Sequence, residues 1–119
     1  MRWKKTSGFN KGYFFEPTVM TDVPLSASIM NEEPFGPIAP ISRFSNYEEA
    51  VEEANRLPYG LAAYVSGEDP AQLMQFARRL RAGQVHLNYT GGGTDAPFGG
   101  FKQSGNGREK AEWGLEEFL

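Results

Sequence analysis

The sequence predicts an α/β fold, a mostly parallel sheet with flanking helices. Short apolar or β-branched runs alternate with two segments of helical period, giving the order strand, helix, strand, helix, strand. The intervening helices run to about a dozen residues, the length of right-handed crossovers between parallel strands. The chain has 119 residues, which fits one domain or a piece of one and leaves no room for two independent cores.

Residues 1–11 form a basic, poorly patterned start, with Arg2, Lys4, Lys5 and Lys11 around Gly8 and Asn10. Residues 13–20 are aromatic or β-branched apart from Pro17, Glu16 and Met20, and predict a strand at an edge or break. A helical turn is expected over 25–31. Glu33-Pro34-Phe35-Gly36-Pro37 is a loop, because Pro34 restricts Glu33 to extended geometry. A second strand is expected over 38–44.

Ser45 and Glu48 have capping-box spacing ahead of a first helix, whose Tyr47, Ala50, Val51, Ala54 and Leu57 share one face. Pro58 and Gly60 stop it. Residues 61–66 read as a strand. Asp69-Pro70 caps a second helix that buries Leu73, Phe76, Ala77 and Leu80, and Gly83 is expected to provide a left-handed exit. Residues 84–89 form the next strand. Half of the 14 glycines then crowd into 91–107. The loop ends where Asn106 and Glu109 can cap a third helix with Ala111, Leu115, Phe118 and Leu119 on one face. That helix shows no stop signal, so the chain is expected to end inside an element.

Composition narrows the function. Apolar residues make up 39% and charged residues 23%, the balance of a folding chain and not of a disordered tail. Without cysteine the chain offers no disulfide, thiolate zinc site or thiol nucleophile. The single histidine, His86, gives no basis for a His-built metal site. A net charge of −3 with both signs interspersed argues against nucleic acid as a partner. No run approaches the roughly 18 to 20 apolar residues of a membrane span, so no membrane partner is expected and a cytoplasmic location is the default.

Five strings go further: Gly12-Tyr13-Phe14-Phe15-Glu16-Pro17-Thr18-Val19, Glu32-Glu33-Pro34-Phe35-Gly36-Pro37, Tyr59-Gly60-Leu61-Ala62-Ala63-Tyr64-Val65, Ala82-Gly83-Gln84-Val85-His86-Leu87-Asn88, and residues 97–109 from Pro97 to Glu109. In this order they resemble successive signatures of the aldehyde dehydrogenase superfamily. The resemblance implies that residues 12–119 are the C-terminal portion of the catalytic domain of an enzyme several times longer. Such an enzyme oxidises an aldehyde to a carboxylic acid with NAD or NADP through a thioester on a cysteine. The nucleophilic cysteine and the general-base glutamate of the family lie upstream of the first string, so no catalytic residue is expected in this chain and it should be inactive alone. A homo-oligomer, dimer or tetramer, is implied for the intact enzyme.

The resemblance also assigns residues. Glu33 is implied to accept hydrogen bonds from the nicotinamide ribose hydroxyls, for which a carboxylate has two acceptor oxygens. Phe35 is implied to pack beside the same ribose and nicotinamide, and Asn88, Tyr89 and Phe98 to line the substrate tunnel. The family varies over 89–95, where aldehyde selectivity is partly set. Asn88 is expected to hold that loop by bonds to backbone.

Plainer readings stand beside these. The 33–37 segment can be a surface turn with Phe35 as a core anchor. His86 suits an ordinary packed or hydrogen-bonded side chain, and Glu48, Glu49, Glu52 and Glu53 a solvated helix face. The glycine loop with Lys102 and Arg108 could cradle phosphate, although a structural, tunnel-lining role fits it better. Trp113 suits an interface. The whole chain could instead be a free-standing binding or assembly module.

Overall fold

The computed structural model describes residues 11–119; the expected poorly patterned start therefore lies, but for Lys11, outside the described residues. The chain divides into two compact units, one up to Arg43 and one from Phe44 to Leu119. Every strand pair is parallel, with helices between strands, as the sequence predicts. The strands make two separate two-stranded sheets.

In the first unit β1 (Thr18–Thr21) pairs with β2 (Ile38–Ile41), Thr18 opposite Ile38 and Thr21 opposite Ile41. Both strands are shorter than expected. Pro17 has no N–H, and the Glu16 carbonyl accepts the Thr18 hydroxyl at 2.8 Å, so the ladder starts only at Thr18. Asp22 ends β1 with φ of 54°, a left-handed conformation that aspartate tolerates better than most residues. The connection to β2 carries a single 3₁₀ turn, Ser28–Met30. Asn31 fastens that turn by donating to the carbonyls of Leu25 (2.7 Å) and Ala27 (2.8 Å).

The second unit is built on β3 (Ala62–Val65), α2 (Pro70–Ala77) and β4 (Gln84–Leu87), preceded by α1 (Tyr47–Asn55) and followed by α3 (Ala111–Glu116). β3 and β4 pair in parallel from Ala62 and Gln84 to Val65 and Leu87. Helix α2 is started by Asp69, whose carboxylate accepts from the N–H groups of Ala71 and Gln72, with Pro70 in the first turn, as its sequence predicts. Helix α1 is capped one residue later than expected. Asn46 accepts from Glu49 N–H at 3.0 Å while the Glu49 carboxylate takes the Ser45 N–H at 2.7 Å. The box geometry is kept, but asparagine does the capping and Glu49, not Glu48, reaches back. That leaves Glu48 free to bond elsewhere.

Helices α1 and α2 are joined side by side. Tyr47 donates its hydroxyl to Gln72 at 2.6 Å and tilts its ring against Phe76 at 5.8 Å. Arg79 grips Glu48 with two bonds of 2.7 and 2.6 Å. Asn55 donates to the Arg79 carbonyl and accepts from Arg81 N–H. Apolar burial within the unit is nonetheless small: Val51 and Leu73 are its buried hydrophobic side chains. Tyr64, Trp113, Leu115 and Phe118 are more than half exposed.

Two glycine-linked expectations are corrected. Gly83 is not left-handed; its φ falls outside the positive range where Gly12 and Gly105 lie. Its role is close approach, because a Cβ there would collide with the Gly99 carbonyl oxygen. The third helix is not capped by Asn106 or Glu109: Lys110 precedes it with φ of 65° and no side-chain cap, since Glu109 is engaged in an antiparallel bridge with Phe98. It ends at Glu116, and the final residues continue as tighter turns, Phe118 N–H to Leu115 and Leu119 N–H to Glu116.

Candidate functional site

Each unit carries part of the expected site. In the first, Glu33 and Phe35 lie on the segment between the 3₁₀ turn and β2. Glu32 N–H bonds the Ser28 carbonyl at 2.7 Å on one side, and on the other Gly36 N–H bonds Pro34 and Ile38 N–H bonds Gly36, both at 2.8 Å. These tight turns, stiffened by Pro34 and Pro37, run straight into the Thr18–Ile38 register. Both side chains point away from the local packing. Glu33 is exposed and its carboxylate makes no hydrogen bond among the described residues. Phe35 is 95% exposed, so it is not a core anchor of this unit. An unengaged carboxylate offering two acceptor oxygens suits a vicinal diol, and a bare ring beside it suits a flat, partly apolar ligand.

In the second unit Asn88 and Tyr89 follow β4 directly. Both have positive φ, 49° and 60°, which turns the chain sharply away from the sheet. Asn88 N–H continues the ladder to Val65 O at 2.9 Å, while its side chain closes a two-bond ring on the Gly67 backbone. Its amide therefore ties the end of β4 to the β3–α2 connection and not to the loop that follows. That loop is held by Thr90, whose hydroxyl donates to Leu87 O at 2.7 Å, and by His86, whose Nδ1 lies 2.9 Å from Thr90 O. His86 stacks on Tyr64 across the sheet at 4.9 Å and 15°. Tyr89 is 84% exposed.

Phe98 belongs to a different surface of the same unit. It exchanges two backbone bonds with Glu109, 2.8 and 2.7 Å, and Lys110 Nζ stands 5.6 Å from its ring centroid. With Leu61, Arg108 and Phe118 it lines an open cleft of about 420 Å³ that Asn88 and Tyr89 do not line.

The glycine loop is stapled to the rest of its unit. Lys102, at φ of 55°, donates Nζ to the carbonyls of Asn55 (3.3 Å) and Leu57 (3.0 Å) beyond α1. Gln103 N–H bonds Pro58 O, Phe101 N–H bonds Gly60 O, and the Ser104 hydroxyl accepts Gly60 N–H at 3.0 Å. Arg108 gives Nη1 to the carbonyls of Gly100, Asn106 and Gly107 and lies over the Phe101 ring at 5.0 Å. Both cations that could have cradled phosphate are thus engaged by main-chain carbonyls, and the loop reads as a structural clamp. Sequence reasoning missed these staples, because the bonds of Lys102 to Asn55 O and Leu57 O and of Gln103 N–H to Pro58 O join segments more than forty residues apart and leave no local pattern.

Among the described residues, altered acidity is found at the Glu48–Arg79 pair. The Arg79 hydrogen bonds hold Glu48 below the usual carboxylate value against the opposing effect of desolvation, and Glu48 raises Arg79 in return. Among the described residues no group of three or more His, Asp or Glu is placed to hold a metal ion, and no helix is long and apolar enough to cross a membrane.

The first unit thus presents an exposed acidic turn ahead of a parallel strand, and the second a parallel α/β unit with a clamped glycine loop. The profile described as "Aldehyde dehydrogenase family" matches residues 2–119. A relative from Staphylococcus haemolyticus, named "Putative aldehyde dehydrogenase", is 46% identical over 115 residues, covering 97% of this chain and 24% of its own. A Cys-to-Ala mutant of aldehyde dehydrogenase C from Pseudomonas syringae, solved with NAD+ and octanal, is 45% identical with a TM-score of 0.91 over 98% of this chain and 24% of that one. The Mycobacterium tuberculosis aldehyde dehydrogenase solved with NAD+ is 36% identical with a TM-score of 0.89 over 96% and 24%. The chain belongs to the aldehyde dehydrogenase family, and it spans about a quarter of the length of the relatives it matches.

Proposed function

We propose that this chain is the C-terminal portion of the catalytic domain of an NAD(P)-dependent aldehyde dehydrogenase, and that its task is to position cofactor and substrate for chemistry performed by residues elsewhere in the enzyme. The observation that carries the reading is the Glu33–Phe35 turn: an unengaged carboxylate and a bare ring on a proline-stiffened loop, within the string Glu33-Pro34-Phe35-Gly36-Pro37 of a chain that belongs to this family. The NAD+ bound in the P. syringae and M. tuberculosis enzymes, and the octanal in the former, support NAD and an aldehyde as its ligands.

When bound, the nicotinamide supplies the hydride acceptor for oxidation of the aldehyde to the acid. Glu33 would accept from both ribose hydroxyls, and Phe35 would cover the apolar side of the same ligand; together they would restrict the ring to a reactive orientation. Asn88 and Tyr89 would border the path of the aldehyde at the exit of β4, and Phe98 would border it from the separate cleft that it lines. Asn88 contributes by setting the sharp exit from β4, which aims Tyr89 outward. The thioester step needs a thiol, and the chain has no cysteine, so it would support no turnover alone.

The test is an aldehyde panel with NAD+ and NADP+ in which the purified chain is followed for cofactor reduction by absorbance. No sustained reduction is expected with any pair. Steady turnover by the chain alone would overturn this division of labour.

A further inference from the structure

We propose that Asn106-Gly107 is a modification site: a spontaneous deamidation site in the glycine loop, whose product reshapes the Arg108 clamp. This is the single Asn-Gly dipeptide in the sequence. Both residues are exposed, outside any helix or strand. Among the described residues the Gly107 N–H donates no hydrogen bond and the Asn106 side-chain amide makes none. A Cβ added at Gly107 would meet nothing within 4 Å beyond its chain neighbours, so the space around the attacking residue is open.

The dipeptide sits between fixed neighbours. Gly105 N–H is bonded to Lys102 O at 3.2 Å, and Arg108 N–H to Glu117 Oε1 at 3.2 Å. Between them the Gly107 N–H and the Asn106 side chain make no hydrogen bond among the described residues, while the carbonyls of both residues accept from Arg108 Nη1.

The chemistry needs water alone as co-reactant. The Gly107 backbone nitrogen, losing its proton to solvent base, attacks Asn106 Cγ. A C–N bond forms, the Cγ–Nδ2 bond breaks, and ammonia leaves with the balancing proton, closing a succinimide. Water then opens the ring at either carbonyl, giving aspartate or isoaspartate. No electron changes hands.

The isoaspartate product inserts a methylene into the main chain where Arg108 Nη1 holds the Asn106 and Gly107 carbonyls at 2.8 and 3.0 Å, and it adds a carboxylate beside that guanidinium. The same Nη1 bonds Gly100 O at 2.8 Å. A carboxylate competes strongly for a guanidinium, so the modified loop should release Gly100 and loosen the Phe98–Glu109 bridge. None of this depends on the assignment of cofactor or substrate.

The experiment ages the protein in mildly alkaline buffer, with a parallel sample in urea. Native folding is verified by slow hydrogen exchange at the Phe98 and Glu109 amides. Tryptic peptide 103–108 is followed for a gain of about one dalton, and isoaspartate is detected by labelling with an isoaspartyl methyltransferase. The native rate is expected within about threefold of the urea rate, because neither the Gly107 N–H nor the Asn106 side-chain amide is hydrogen-bonded among the described residues. Gly107→Ala should slow it about tenfold by restoring a side chain at the attacking residue, and Asn106→Gln should abolish the label at this peptide. Native protection of more than about tenfold relative to urea, or labelling that survives Asn106→Gln, would overturn the proposal.

Discussion

Asn88 holds Gly67 with both halves of its amide: Oδ1 accepts the Gly67 N–H and Nδ2 donates to the Gly67 carbonyl, each at 3.0 Å. The pair closes β4 onto the β3–α2 connection at the residue where the chain turns left-handed. Asparagine suits both demands, since it tolerates positive φ and its side chain carries donor and acceptor together.

Replacing Asn88 by alanine removes both bonds and keeps the unfavourable φ. The expected loss is about 1–3 kcal/mol, and Asn88→Asp, which keeps the acceptor for Gly67 N–H but sets a carboxylate oxygen against the Gly67 carbonyl, should also destabilise. Urea denaturation ranks the two variants. Equal stability of Asn88→Ala and the parent would mean that the ring of bonds does not hold the sheet end.

A methyl group at Gly83 has nowhere to go, because Gly99 O occupies its place. Gly83→Ala should cost more than about 2 kcal/mol through backbone displacement of the glycine loop. Gly91→Ala, where nothing lies within 4 Å, should be nearly neutral. Thermal unfolding of the two variants side by side decides whether close approach explains Gly83.

How much of this was readable from residues varies by element. Asp69-Pro70 predicted the start of α2, and the Tyr47, Val51 face predicted α1, because local propensity and burial agree there. The cap of α1 slipped from Ser45 to Asn46, since two adjacent capping residues satisfy the same pattern and only side-chain geometry separates them. The length of β1 depended on Glu16 O being taken by Thr18, and Gly83 on a contact with Gly99; neither leaves a periodic trace. For the site, the strings located Glu33 and Phe35, and the structure adds that both side chains are exposed. Phe98 lines a cleft that Asn88 and Tyr89 do not, a separation set by tertiary packing.

The Glu48–Arg79 pair predicts the sign of one pH effect. Glu48 is held below its ordinary value in the folded chain by the Arg79 bonds, so its contribution is full above the unfolded carboxylate pKa and is lost as pH falls through the lowered folded value. Both side chains are largely exposed, so the effect should be small and weakened by salt. Thermal unfolding of the parent and Glu48→Gln across this range should show curves that differ at neutral pH and converge in acid. A gap that widens in acid would contradict the pairing.

Glu33 is proposed as the carboxylate that holds the nicotinamide ribose, and Glu33→Gln in the full-length enzyme carrying this segment tests that role most directly. Glutamine keeps the shape and removes the charge, while Glu33 makes no hydrogen bond within the described residues whose loss could act on folding. Charge-assisted bonds contribute about 1.5–3 kcal/mol, so single-turnover hydride transfer should slow roughly tenfold or more, with hydrolysis of the acyl-enzyme little changed. Hydride transfer at the parental rate would contradict the assignment.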